Sequence, residues 1–335
     1  MKTVSIIIPI FNGEHFIHRC FSNICKQTYE HSAIECIFVN DGSMDNSASL
    51  INELISSNTS NIIFRLISHS HNQGVSAARN TGIKEAKNEY LYFMDVDDTI
   101  TENCIELLFH ATIKYSEATV ITGNLLNKKE NTCHHTKLET IRQISYQKNL
   151  QDILLFIYTS YPVNKLVSRQ FILENKLFFP VGIPYFEDLQ WNIDVARLSQ
   201  EIIYLPEITY YYEYVNSSAM STSQKKQDTI AECYLSLINK AMTLHEPTCS
   251  IEIHLFICFY LMKLLKMKST KIVTRQSLHN IRKNLFQQAF HLGKPLLVLY
   301  DLQLYQPFLT ITKIPAIRNR SAELRLWVCK HCKSN

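Results

Sequence analysis

The stretch YLYFMDVDDTI (90–100) sets three carboxylates, Asp95, Asp97 and Asp98, directly behind the apolar run 90–94. Such a run reads as a strand covered on both faces, and it is the fourth of its kind. Runs 4–10, 34–39 and 62–67 precede it, each followed by apolar residues at helical spacing over 14–26, 45–55 and 75–87. After the acidic stretch, 101–115 continues as a helix and 119–121 closes the series. This alternation predicts an α/β fold with a mostly parallel, doubly wound central sheet.

Ligands of open α/β sheets bind beyond the carboxyl ends of the strands. Four polar loops fall there: Phe11-Asn12-Gly13, Asn40-Asp41-Gly42-Ser43, His69 to Gly74, and Asp95 to Asp98. Three carboxylates at the sheet mouth repel one another unless a cation is shared. Mg²⁺ and Mn²⁺ suit them, since both take oxygen ligands and are commonly held by one or two carboxylates plus substrate phosphates. Asp98-Thr99 can alternatively serve only to open the helix near Thr101. Asp41 can accept a ring N–H of a nucleobase or close an Asx-type turn. Arg79 can reach a phosphate near a helix N-terminus or form a surface salt bridge. No G-x-G-x-x-G follows a strand, and Gly293-Lys294 runs into Pro295, which excludes a P-loop.

The net charge of +4 over 335 residues conceals a split. Residues 1–224 carry 17 basic and 24 acidic side chains, a balance of −7, and residues 225–335 carry 17 and 6, a balance of +11. An apolar fraction of 46% supplies a core and excludes disorder for most of the chain. No stretch approaches the roughly 18 apolar residues of a spanning helix, since even 255–267 contains Lys263 and Lys266. The first residues imitate a signal peptide but lack a small-residue cleavage site, so they read as a buried strand. Ten cysteines without a framework read as reduced thiols of a cytoplasmic protein, and Cys329-x-x-Cys332 lacks the four ligands of a structural zinc site.

Four segments, VSIIIPIFNGE (4–14), FVNDGSMDNS (38–47), NQGVSAARNTGI (72–83) and YFMDVDD (92–98), in this order and spacing, resemble the family 2 glycosyltransferases of GT-A fold. NKLVSR (164–169) and IPYFEDLQWN (183–192) extend the resemblance, which covers about residues 3–220. It implies a Rossmann-like GT-A domain, with a nucleotide-sugar half over 1–122, an acceptor and catalytic-base half over 123–220, and a basic helical extension over 221–335. It further implies that Asp41 meets uracil, that the main chain of Pro9 to Phe11 lies by base and ribose, and that Arg79 helps hold the nucleotide. Asp95 would lie by the ribose, Asp97 and Asp98 would bind Mn²⁺ or Mg²⁺ with Asp97 the foremost ligand, and Asp98 would also lie near the diphosphate or donor sugar. Asp188 would be the base, with Glu187 supporting it. Glu213 stands where many relatives have arginine, a lost cation for which Lys165 or the loop's own amides can compensate.

The implied activity is inverting transfer of a sugar from a nucleotide-diphosphate donor, a UDP-sugar above all, to a glycan or lipid-linked acceptor in cell-surface polysaccharide synthesis. Two other readings stand beside it. Asp95-Val96-Asp97-Asp98-Thr99 also matches the D-x-D-x-T nucleophile motif of haloacid-dehalogenase-type phosphatases; a non-catalytic sugar-nucleotide-binding protein is the other. Helical segments are expected over 227–244, 251–267 and 277–291. The basic residues there suit an anionic membrane surface or a protein partner, including a second copy, rather than nucleic acid.

Overall fold

The structure, a computed structural model, describes residues 2–128, 132–133, 141–155, 161–213, 224–244, 246–249 and eight residues between 252 and 264. Residues 1–150 with 158–220 form one compact unit, and 151–157 with 221–335 a second. The first unit opens with β1 (Val4–Ile10), α1 (Glu14–Cys25), β2 (Ile34–Asn40), α2 (Ser47–Ser56), β3 (Ile63–Ser68), α3 (Val75–Glu85) and β4 (Tyr90–Phe93). There follow β5 (Thr99–Ile100), α4 (Cys104–Lys114), β6 (Val120–Asn127), β7 (Thr132–Cys133), β8 (Arg142–Ser145) and α5 (Tyr146–Leu154), whose residues from 151 onward belong to the second unit. β9 (Lys165–Ser168), α6 (Arg169–Glu174), α7 (Glu187–Leu198) and β10 (Glu201–Tyr212) complete it, and α8 (Gln224–Met242) belongs to the second unit.

One sheet takes the order β3-β2-β1-β4-β9-β6-β10-β5, with β7 on β6 and β8 on β10. β1, β2, β3, β4, β6 and β10 run one way, and β5, β7, β8 and β9 the other. The sheet is therefore mixed and mostly parallel. All seven residues of β1 are buried, as expected of a strand covered on both faces. Ile6, Ile8 and Ile10 share one core with Ile17, Cys20, Phe21 and Ile24 of α1 and with Cys104, Leu108 and Phe109 of α4. The α1 residues recur at the i, i+3, i+4, i+7 spacing of an apolar helix face. Ile7 points the other way, against α3: a Cβ on Gly82 would stand 2.3 Å from Ile7 Cγ2, so only glycine lets the helix lie this close.

The antiparallel β9, which separates β4 from β6, departs from the simple alternation. It spans only four residues, too few for periodicity to declare, and follows Asn164, whose φ of 61° turns the chain. Asn164 is buried and ties this part of the sheet together. Its Nδ2 donates to the Gly123 and Asn124 carbonyls at 2.9 and 3.2 Å, and its Oδ1 accepts the Thr209 hydroxyl at 2.6 Å. Its carbonyl accepts the Thr122 hydroxyl at 2.8 Å. β10 pairs with β6 through register shifts between Tyr204 and Tyr210. Pro206, which has no N–H to give a ladder, sits within that interval.

In the second unit α8 buries Ala231, Cys233, Leu237, Ile238 and Ala241, and Tyr260 packs against Tyr234 and Phe256 with ring centroids 5.4 and 4.8 Å away. α8 occupies most of the helix expected over 227–244. The segment 277–291, most of 251–267, the basic residues beyond Lys263 and the Cys329/Cys332 pair lie outside the described residues. Among the described residues no helix is long and apolar enough to cross a membrane.

At Gly123 a Cβ would fall 1.9 Å from Thr209 Oγ1 and 2.8 Å from its Cβ. Gly123→Ala must therefore push Thr209 off Asn164. Such overpacking costs about 1–3 kcal/mol, and a melt of the full chain should show a lowered Tm; an unchanged Tm would mean that β6 and β10 are not so tightly paired.

Candidate functional site

The strand-end loops are built by mutual capping. The Asn12 and Gly13 N–H groups donate to the Ser43 and Ser47 hydroxyls, each at 3.0 Å, and Asn12 Oδ1 accepts the Met44 N–H at 2.9 Å. Glu14 and its neighbours repeat the pattern: its N–H donates to Asp45 Oδ2, and its carboxylate accepts the Asn46 N–H, both at 3.0 Å. The loops after β1 and β2 thus form one ledge. Pro9 lies buried within β1 beneath it, and Phe11 stands 49% exposed on top.

Asp41, 2% exposed, occupies the end of β2. Its Oδ1 accepts the Gln73 N–H at 2.9 Å and lies 2.7 Å from His69 Nδ1, and its Oδ2 accepts the Gly74 N–H at 2.8 Å. His69 Nε2 in turn lies 2.9 Å from Thr81 Oγ1 on α3. Gly74, with a φ of 93°, caps α3 in a conformation that suits glycine. Asp41 thus binds the distant loop before α3 rather than closing a turn of its own; the local turn bond is made by Asn40, whose Oδ1 accepts the Ser43 N–H at 3.0 Å. His69 went unnoticed in the sequence, where only its position in the third strand-end loop marked it.

Arg79 is 5% exposed and joins two segments far apart in the chain. One Nη donates to Asp95 Oδ1 at 2.9 Å and the other reaches Glu187 Oε1 at 3.5 Å. Its guanidinium lies 5.3 Å from the centroid of the Phe179 ring, which stacks on Trp191 at 4.7 Å and meets Phe93 edge-on at 5.4 Å. Asn80, next to Arg79, holds Phe179 by both backbone groups: Oδ1 accepts its N–H and Nδ2 donates to its carbonyl, each at 2.8 Å. The guanidinium of Arg79 is buried while Asp95 is 35% exposed, so this is a half-buried bridge rather than the surface one considered from sequence. Its Nε is buried without a hydrogen-bond partner.

Within the acidic loop the three aspartates differ. Asp95 and Asp97 are partly exposed, and Asp98 is 1% exposed. Asp98 Oδ2 accepts the Tyr210 hydroxyl at 2.6 Å and Oδ1 accepts the Glu213 N–H at 2.9 Å, so both oxygens are engaged with β10 and the residue after it. Burial, with Asp95 adding repulsion, pushes its carboxyl up to about 8. Burial and Asp95 also raise Asp97, which sits beside Arg19: the guanidinium donates to the Asp97 carbonyl. Glu213, where a cation was noted as missing, accepts from Lys128 and, at 3.0 Å, from Thr99 Oγ1. It fastens the loop instead.

Glu187 and Asp188 form the first turn of α7, a favourable place for carboxylates against the helix dipole. Phe186 before them has a φ of 66°, a left-handed conformation costly for a bulky side chain. Burial raises both carboxyls above the usual range. Lys165 is buried, donates to the Tyr161 carbonyl, and is pulled down to about 7 by burial, with the charge of Asp188 opposing that shift. The structure brings Arg79, Asp95 and Glu187 into contact and couples Lys165 to Asp188, but turns Asp98 inward.

Among the described residues no group of three or more His, Cys, Asp or Glu side chains closes a metal site by itself. The donor set nevertheless suits a hard cation: Asp95 and Asp97 offer oxygens, both partly exposed, and their mutual repulsion would be relieved by a positive ion. Such a site needs phosphate oxygens to complete it.

A family model described as Glycosyl transferase family 2 matches residues 5–173. GlyA, a glycosyltransferase of Streptococcus pneumoniae, is 30% identical over 222 residues, 62% of this chain and 30% of its own length, so the chain matches less than a third of that relative. TarP of Staphylococcus aureus, a poly(ribitol-phosphate) β-N-acetylglucosaminyltransferase, is 26% identical over 240 residues, 72% of this chain and 71% of its own. The crystal structure of S. aureus TarS 1–349 in complex with UDP-GlcNAc superposes with a TM-score of 0.69 at 17% identity, covering 90% of this chain and 88% of that one. The fold is thus GT-A, and with a match over half its length the chain belongs to the family 2 glycosyl transferases.

Proposed function

We propose that this protein transfers a sugar, with inversion, from a UDP-sugar to a hydroxyl of a glycan or lipid-linked acceptor in the synthesis of a bacterial cell-surface polymer. The observation that carries this reading is the Arg79 bridge, which sets the acidic loop and the first turn of α7 around one guanidinium. On this reading the acidic loop serves the leaving group and the first turn of α7 the base, and the shared guanidinium between them supports the pairing. The donor class is supported by the UDP-GlcNAc bound to TarS, and the polymer class by the poly(ribitol-phosphate) named for TarP.

Nucleotide contacts are assigned to Pro9, Phe11, Asp41, Arg79 and Asp95. Asp97 is the proposed ligand of Mn²⁺ or Mg²⁺, and Asp98, engaged with Tyr210 and Glu213, acts through the position of the loop. When bound, the cation would supply Lewis-acid stabilisation of the charge developing on the departing diphosphate. A glycosidase needs a second carboxylic acid to protonate its leaving group, but a nucleoside diphosphate leaves as an anion, so a single base suffices. Asp188 takes the proton of the acceptor hydroxyl; that oxygen bonds to the anomeric carbon, and the bond to the β-phosphate oxygen breaks with its electron pair. Glu187, held by Arg79, keeps α7 oriented.

Lys165 is assigned a different part from the diphosphate contact expected at first: its charge faces Asp188 and favours the ionised base. The phosphatase reading requires Asp95 as a free nucleophile, whereas Asp95 is ion-paired to Arg79. The excess positive charge of residues 225–335 suits an anionic membrane surface on the cytoplasmic side, where a lipid-linked acceptor would be met.

With an α-linked UDP-sugar and Mn²⁺, product analysis should find a β linkage; an α-linked product would refute inversion. Asp188→Asn should retain UDP affinity while turnover falls by about two or more orders of magnitude, and near-normal turnover would remove Asp188 from the reaction. Calorimetry on Asp97→Ala should show UDP binding that no longer responds to Mn²⁺; an intact metal response would reassign the ligand. Lys165→Met removes a positive charge that holds the Asp188 carboxyl down. The acid limb of the kcat profile should accordingly move to higher pH, and a limb that stays or moves lower would separate Lys165 from the base.

A further inference from the structure

We infer that His69 is a positioning residue for the nucleotide side of the site, a role that rests on the donor reading above. Asp41 accepts from Gln73 N–H, Gly74 N–H and His69, three of the roughly four lone-pair positions a carboxylate offers. An ionised carboxylate only accepts, so His69 Nδ1 carries a proton and donates. The neutral imidazole then accepts the Thr81 hydroxyl at Nε2, where an imidazolium would donate to it instead. The Nδ1 donor is the same in both states.

These bonds close a ring through the fold. From Gly74 at the N-cap of α3 the ring passes to Asp41 at the end of β2, to His69 just after β3, and through Thr81 back to α3. The His69 N–H donates to the Asn40 carbonyl at 2.9 Å, extending the β2–β3 ladder into the loop. Arg79 lies on α3 between the two points of attachment. One imidazole consequently bears on two assigned nucleotide contacts: it bonds Oδ1 of Asp41, whose Oδ2 accepts the Gly74 N–H, and through Thr81 it anchors the helix that carries Arg79.

Two substitutions separate this role from mere filling of space. The amide nitrogen of asparagine can take the place of Nδ1, whereas that of glutamine takes the place of Nε2. His69→Asn should bind UDP with Mn²⁺ within a few-fold of wild type, while His69→Gln, which loses the donor to Asp41, should weaken it by about 10-fold or more. Donor KM should follow the same order, with kcat nearly constant. Packing alone predicts the reverse, because glutamine is closer in volume to histidine, so glutamine binding as well as or better than asparagine overturns the proposal. Should both variants fail to fold, the downfield imidazole N–H resonance of wild-type His69 decides: it should shift on UDP addition, and a fixed resonance overturns the role. Wild-type protein that binds no UDP overturns the donor reading together with this one; binding with the wrong order of variants overturns this one alone.

Discussion

The site depends on a buried cation. Asp95, Glu187 and Asp188 are brought near one another by a loop and a helix that begin far apart in sequence, and like charges at that range disfavour the arrangement. Arg79 reverses the sign of the interaction by bonding to one carboxylate from each segment. Its own desolvation is offset by those charges and by the face of Phe179 beneath it. Removing the guanidinium would leave Glu187, 13% exposed, without its cation, while Asp95, 35% exposed, is partly screened by water. The aromatic group of Phe93, Phe179 and Trp191 is therefore as much a part of the site as the acids, since it sets the height at which the guanidinium lies.

Polar side chains recur as fasteners in this unit. Asn164 joins β9 to β6 and β10, Asn80 holds the backbone of Phe179, Asp98 holds β10, and Asp41 holds the start of α3. Each is buried with its hydrogen bonds to other elements made, the condition under which burying a polar group stabilises rather than penalises. Such bonds are directional, so they fix where a loop goes more sharply than apolar contact can.

The first 122 residues were legible because their signals are local. Apolar runs and a helical period sit next to one another in the chain, and the strand-end loops follow from them. β9 and β10 were not read as strands, one for its four residues and the other for Pro206 in its middle. Acid residues announced the loop at Asp95 to Asp98, and the family resemblance alone pointed to Glu187 and Asp188; neither showed that Asp98 turns inward, because its partners Tyr210 and Glu213 lie more than a hundred residues later. His69 stayed hidden for the same reason: a histidine in a loop gains its meaning from Asp41 and Thr81, which no period connects.

The position of β10 in the sheet has a consequence for how the chain matures. Its neighbours in the sheet include β5, made about a hundred residues earlier, so the short strand behind the acidic loop has no partner until β10 has been synthesised. At ribosomal speeds of about 5–20 residues per second that interval is roughly 5–20 s. Through it β1 to β4 can pair and cover their faces, while Asp98 still lacks both the hydroxyl of Tyr210 and the amide of Glu213. The loop that gathers the acids is thus closed by the same late strand that completes the sheet, so the site and that half of the fold depend on one segment.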